Sequence, residues 1–325
     1  MTESNDSAAA VTNQAPSKTK TSEESTKVVY AALAGNVLVA LAKFGAALLS
    51  GSSAMLTEAI HSSADSANQL ILLLGNKRSR VQSDESHPFG YGMEIYFWTF
   101  VVAVMVLIAG GVASIYEGIA RLRDLQPIER PLLSLGVLAA SALFEGSSLA
   151  VGYRAFKRIV RGRKVDGQPV SMWRFIEISK DPNLYETLLE DSAALIGIGI
   201  AIVGVVASAY FKLLVADGIA SIAIGVLLVI DSAIIARATR SLIAGESAAR
   251  PVVDGIHDLL STHAPHLQVS SVATLQLGPK TILVAFTIAP DPATTLADTA
   301  NHLRETTARL KTFDSRIAHV LFRMD

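Results

Sequence analysis

Six long apolar runs alternate with short polar breaks, at approximately residues 28–50, 54–76, 93–120, 132–157, 184–210 and 214–240. Each exceeds the ~18 residues at which an apolar helix can cross a bilayer core. Lipid offers no partner for free backbone amides, so a lone apolar segment that crosses must be helical. Ser50-Gly51-Ser52-Ser53 forms a tight turn between the first two runs, and a polar loop with Arg123, Asp124 and Pro127 joins the third to the fourth. Pro131 opens the fourth run, where its missing N–H costs nothing. After Arg240 the period changes. Pro251 to Leu260 reads as a helix, and Val269 to Leu277 and Thr281 to Ile288 alternate as strands around the Gly278-Pro279 turn. Thr295 to Leu310 carries Leu296, Leu303 and Leu310 at helical spacing, and Ile317 to Phe322 is a last strand. The expected fold is an α-helical membrane protein: six transmembrane helices in residues 27–245 and a small αββαβ domain in residues 246–325, preceded by a disordered polar tail in residues 1–26.

Composition agrees. Half of the 325 residues are hydrophobic and only 18% are charged, and the mean hydropathy is +0.41. The net charge of -1 gives no reason to expect nucleic acid as a partner. There is no cysteine, so disulfides and thiolate metal sites are excluded, and any metal would be held by imidazole and carboxylate. The tail has no apolar signal-peptide segment, and Glu3, Asp6, Glu23 and Glu24 argue against a transit peptide. Orientation follows from the basic residues. One set of connections carries Lys77, Arg78, Arg80, Lys157, Arg158, Arg161, Arg163, Lys164, Arg237 and Arg240; the other carries Arg121, Arg123, Arg130 and Lys212. Ten against four places the first set, both termini and the C-terminal domain in the cytoplasm. The expected location is a cell inner (plasma) membrane, spanned several times.

The candidate chemistry lies inside the spans. A charge at the centre of a membrane helix costs about 2.5–3.5 kcal/mol on insertion scales and so points to function. The second run holds Glu58, His61 and Asp65 on one helical face, and the fifth holds Glu190 and Asp191 between apolar neighbours. His61, Asp65 and Asp191, with Glu190 rotated by about 100° from Asp191, are the candidate metal ligands, for donors from two helices suit a tetrahedral divalent ion. Protons compete with metal for such donors, which couples metal binding to pH. The competing reading is a buried polar set that only fixes helix packing. Asn36, Lys43, Glu145 and Asp217 are expected to make interhelical hydrogen bonds rather than to bind metal.

Three motifs carry a family resemblance. Ser53-Ala54-Met55-Leu56-Thr57-Glu58-Ala59-Ile60-His61-Ser62-Ser63-Ala64-Asp65 resembles the second helix of cation diffusion facilitators, and His87-Pro88-Phe89-Gly90-Tyr91-Gly92-Met93-Glu94 resembles the signature before their third helix. Asp217-Gly218-Ile219-Ala220-Ser221 resembles the opening of their sixth. The resemblance implies a homodimeric antiporter that moves divalent cations out of the cytoplasm against protons by alternating access, with a metallochaperone-like cytosolic domain and no prosthetic group. It implies zinc first, with manganese, iron and cobalt as alternatives. One departure bears on the metal. Most members carry His-x-x-x-Asp in the fifth helix, whereas here Thr187 stands four residues before Asp191. The Leu188-Leu189-Glu190-Asp191 run resembles the branch that includes the mitochondrial zinc transporter of animals. Glu190, Thr187 or water would complete the shell, and a site with one imidazole is harder and less selective for zinc.

Other features have plainer readings beside the functional ones. His87, with Asp84, is a candidate entry point or a packed loop residue. The resemblance implies a lysine–carboxylate interlock near the membrane, here Lys77 with Glu246. His257, His263, His266, His302 and His319 of the C-terminal domain lack tight ligand spacing and read as solvated, and Trp98 and Trp173 read as interfacial anchors. A membrane hydrolase is disfavoured because His-Glu-x-x-His is missing. A scaffold or sensor without transport is the remaining alternative.

Overall fold

The computed structural model describes residues 18–161, 164–165, 168–171, 174–175, 179–289 and 295–324. Six long helices build the membrane part: α1 (Lys18–Ser50), α2 (Ser53–Arg78), α3 (Glu94–Arg123), α4 (Pro131–Val160), α5 (Pro182–Tyr210) and α6 (Val215–Ile243). A two-residue hairpin, β1 (Lys164–Val165) with β2 (Gln168–Pro169), lies between α4 and α5. The α1 helix starts earlier than the expected tail boundary. Residues 18–26 contain neither Pro nor Gly, and an existing helix extends at the cost of one residue per added hydrogen bond. Residues 1–17 of the tail, and Trp173, lie outside the described residues.

Five of the six helices are long and apolar enough to cross a membrane by composition; α2 is not. Its polar residues point inward instead. Glu58, His61, Asp65 and Asn68 are all buried, and α1, α3, α5 and α6 surround the helix. Protein rather than lipid receives its polar face, so composition understates what it can do. The half of the bundle near the α1–α2 turn is dry and built from small residues, with Ala46, Ala47, Ala54, Ala201 and Ala220 packed among Met55, Leu138, Ile198 and Leu228. α4 is peripheral: of its side chains only Ser134, Leu138, Ser141, Glu145 and Phe156 are buried, and it leans on α5 and α1.

The α3–α6 contact brings backbone against backbone. A Cβ added at Gly118 would stand 2.7 Å from the Gly218 carbonyl, and one added at Gly225 would stand 2.8 Å from the Gly111 carbonyl. Small residues let membrane helices approach backbone to backbone. Around Gly110-Gly111, α3 passes through a π-helical turn, Val106–Val112.

The C-terminal domain follows the expected αββαβ order: α7 (Arg250–His263), β3 (Val269–Gly278), β4 (Thr281–Ile288), α8 (Leu296–Phe313) and β5 (Ile317–Met324). The sheet order is β3-β4-β5, antiparallel then parallel, with Val284 opposite Thr274 on one side and Val320 on the other. Val252, Ile256, Leu260, Val284, Phe286, Leu303, Leu310 and Ile317 form one core between the two helices and the sheet.

Contacts through the linker after α6 and through the α2–α3 loop join this domain to the bundle. The Gln276 amide donates to the Glu246 carbonyl at 2.9 Å. In the α2–α3 loop, a Cβ at Gly92 would stand 2.4 Å from the Leu277 carbonyl, and Phe89 meets His319 edge to face at 5.2 Å. Within the single chain Lys77 is exposed, and it is Lys180 that reaches Glu246, at 2.6 Å; an interlock between protomers concerns the partner copy. Lys180 precedes α5, and its carbonyl is held by the Tyr96 hydroxyl at 2.9 Å, which aims its side chain at the linker after α6.

Candidate metal site

The α2 helix is held from its first turn. Ser52 caps it, accepting from the Met55 amide at 3.2 Å. Asp217 of α6 accepts from the Ser52 hydroxyl at 2.6 Å and from the amides of Ser53 and Ala54 at 2.6 and 3.3 Å. A carboxylate at a helix N-terminus is favoured by the free amides there, and Arg121 stands 3.5 Å from its far side. Asp217 is thus an interhelical anchor.

One turn further on, Lys43 of α1 donates to Glu58 at 2.9 Å and to the Ser62 hydroxyl at 2.7 Å, with both charged side chains fully buried. Lys43 neutralises Glu58 and removes it from the pool of free donors. His61 is 2% exposed, and neither ring nitrogen has a hydrogen-bond partner. Its Nδ1 lies 3.2 Å from Asp65 Oδ1, at an angle that makes no hydrogen bond.

Helix α5 starts at Pro182 with Asp181 as its cap, and brings Glu190 and Asp191 to the same level. The two part company there. Glu190 turns to α2, accepting from the Asn68 amide at 2.8 Å. Asp191 is buried, with its Oδ2 unpartnered. Glu145 of α4 is buried as well. Of the four sequence-derived candidates, His61 and Asp65 stand 3.2 Å apart on α2, Glu190 reaches the same helix through Asn68, and Asp191 follows it on α5. Thr187 is exposed, and its hydroxyl donates to the Asn183 carbonyl at 2.8 Å. Among the described residues no three His, Asp or Glu side chains form a preassembled metal cage.

Sequence reasoning passed over three polar groups. Glu186 lies one helical turn before Glu190 and is buried, with neither carboxylate oxygen partnered. Asn68 lies three residues after Asp65, and Asp231 is buried in the middle of α6. The spacing of Glu186 and Asn68 from the chosen ligands was a readable signal; Asp231 needed the packing of α6.

Outside the membrane, Asp84 and His87 do meet, at 3.7 Å, but in a self-contained turn. The Tyr91 and Ser86 hydroxyls and the His87 amide all donate to Asp84, and in that order hold its carboxyl down at about 2. His87 lies against the Tyr91 ring with 3.9 Å between centroids. In the C-terminal domain, His257 and His263 are exposed and His319 packs on Phe89; the His266 side chain lies outside the described residues. Trp98 donates to Glu94 at 2.7 Å.

Residues 29–244 match the cation efflux transmembrane domain. The chain belongs to the cation efflux family. Its curated relatives include the human mitochondrial protein named proton-coupled zinc antiporter SLC30A9, 31% identical over 252 residues, which is 78% of this chain and 44% of the human one. Metal tolerance protein C4 of Arabidopsis thaliana is 34% identical over 208 residues, 63% of this chain and 44% of that one. Magnetosome protein MamM of Magnetospirillum gryphiswaldense is 28% identical over 120 residues, 35% of this chain and 38% of that one. This cation efflux chain therefore spans less than half the length of the curated relatives it matches. The family is one of multi-pass membrane transporters rather than enzymes.

Proposed function

We propose that this protein moves a divalent metal ion, zinc first, out of the cytoplasm in exchange for protons, as a homodimer in the cell's inner membrane with both termini inside. The observation that carries the reading is a buried polar face shared by α2 and α5: His61, with both ring nitrogens unpartnered, stands 3.2 Å from Asp65, and Asn68, three residues further on, donates to Glu190 at 2.8 Å. The same carboxylate oxygens can take either a proton or a metal ion. A divalent ion held by His61 as nitrogen donor with Asp65, Glu190 and Asp191 would displace the protons those carboxyl groups carry. Binding then expels protons and protonation expels metal, which is the chemical core of exchange. The name of the human relative, a proton-coupled zinc antiporter, supports the same direction.

A second reading concerns the metal alone. With Thr187 turned outward and a single imidazole in reach, the donor set is mostly carboxylate, and manganese, iron or cobalt would compete with zinc more effectively than at a two-imidazole site.

Proteoliposomes loaded with a zinc-sensitive dye under an imposed pH gradient test both. Metal flux should be present in the wild type and lost in Asp65→Ala and Asp191→Ala. Flux that persists unchanged in those variants removes the proposed site, and no flux with any divalent ion favours a scaffold. Competition among zinc, manganese, cobalt and iron ranks the metals.

A further inference from the structure

A cavity of about 600 Å³ lies between the bundle and the C-terminal domain. Its membrane side is apolar, with Ile159 from the last turn of α4, Phe175 from the α4–α5 connection and Leu184 from the first turn of α5. Val252 of α7 and Phe313 at the end of α8 line the domain side. Three cations and one acid complete the charged lining: Lys180, Lys280, Arg316 and Asp181. Lys180 is held by Glu246 and Arg316 by Asp314, each at 2.6 Å, while Asp181 caps α5 by accepting from the Asn183 amide at 3.2 Å. Lys280, in the β3–β4 turn, is exposed and has no salt bridge among the described residues. More unanswered charge stands beside it. Arg158 and Arg161, which flank the lining residues Ile159 and Val160, are exposed and likewise without a salt bridge among the described residues.

We propose that this cavity binds one anionic phospholipid, with its phosphate against Lys280, Arg158 and Arg161 and an acyl chain against Ile159, Phe175 and Leu184. An apolar cavity at the end of a membrane helix, bordered by unpaired cations, matches a phosphate carried on a hydrocarbon chain. Basic pockets at the cytoplasmic ends of membrane helices recognise anionic headgroups in this way. The volume lies within the ~300–1,000 Å³ of small-molecule sites, room for a headgroup and the start of a chain. The peripheral α4 helix supplies the route from the bilayer, for its Leu143 and Val151 are exposed and the same helix ends at the cavity. The bound lipid ties the bundle to the domain beside the Lys180–Glu246 ion pair. The assignment is independent of which ion, if any, the bundle carries.

Native mass spectrometry of the purified full-length protein, taken from mixed micelles of phosphatidylcholine with a minority of phosphatidylglycerol, tests the site. Wild type should retain one phosphatidylglycerol per chain in preference to phosphatidylcholine. The Arg158→Ala, Arg161→Ala, Lys280→Ala variant should weaken that retention by about fivefold per charge removed. Arg237→Ala with Arg240→Ala removes exposed cations of α6 that do not line the cavity and should leave retention unchanged. Equal weakening in the two variants would mean diffuse attraction to a basic surface and would overturn the site, as would no weakening in either. Ile159→Trp keeps every cation and fills the apolar side, so it should also release the lipid; full retention in Ile159→Trp counts against the cavity. Glycerol phosphate, a headgroup without chains, should fail to displace the lipid. Displacement by it would make the ligand a soluble phosphate and end the lipid assignment.

Discussion

The α3–α6 seam and the α2–α5 seam are made of opposite materials. In the first, glycines bring backbone against backbone, with Gly118 on Gly218 and Gly111 on Gly225. In the second, His61, Asp65, Asn68, Glu186 and Asp191 leave buried polar atoms unpartnered. A seam of close-packed backbones has one good arrangement and resists sliding. A seam of unsatisfied donors and acceptors has none until a ligand or proton supplies the missing partners. Rigidity and responsiveness to a ligand thus lie in different helix pairs of one bundle.

Substitutions in the polar α2–α5 seam should have the largest effect. Asp65→Asn should abolish metal flux while leaving thermal stability equal or higher, because it removes a buried carboxyl group whose Oδ1 has no hydrogen-bond partner; a matched melting curve and flux assay decide it, and a large loss of stability would make Asp65 a packing residue. Next comes Lys43→Met. Glu58 would be left buried and alone, at about 3–5 kcal/mol, and adding Glu58→Met should recover most of that in denaturant melts. The glycine seam should respond differently. Gly225→Leu forces a side chain against the Gly111 carbonyl and should cost about 1–3 kcal/mol, whereas Gly136→Leu, at a position with open space around the added Cβ, should be neutral.

Smaller effects sharpen the picture at the domain junction. Lys180→Ala should loosen the C-terminal domain, read as faster proteolysis after residue 243, and Lys77→Ala should not. The smallest effect is acidic. Asp84 is held below the ordinary aspartate value of ~3.9, so its contribution is fully present above that value and is lost as pH falls toward about 2. Tyr91 fluorescence in Asp84→Asn should then show no transition between those two pH values, where the wild type shows one.

Much of this was legible in the residues. Six apolar runs and a switch to alternating strands located the elements, and the His61–Asp65 spacing located a face. Partner choice was not legible. Lys77 and Lys180 are equally basic in the sequence, and only the Tyr96 hydroxyl holding the Lys180 backbone decides which lysine reaches Glu246. Glu190 and Asp191 differ by a rotation of about 100°, but which helix each one faces depends on where α4 leans. Asp231 lies in an unbroken apolar run, so its surroundings come entirely from helix packing. The start of α1 at Lys18 shows a different limit: polar composition reads as a tail, while a stretch without Pro or Gly still permits a helix.

The Asp217 carboxylate that grips the first turn of α2 turns that helix into a pendulum hung from α6. For a rigid rod swinging about a fixed suspension, the arc grows with distance from it. At 1.5 Å per residue, His61 hangs about 12 Å below Ser53 and Asn68 about 22 Å below. A swing of about 10° would therefore carry His61 some 2 Å but Asn68 nearly 4 Å by that geometry. The Asn68 end would travel nearly twice as far as the imidazole, yet even the imidazole would move by about the length of one metal–nitrogen bond.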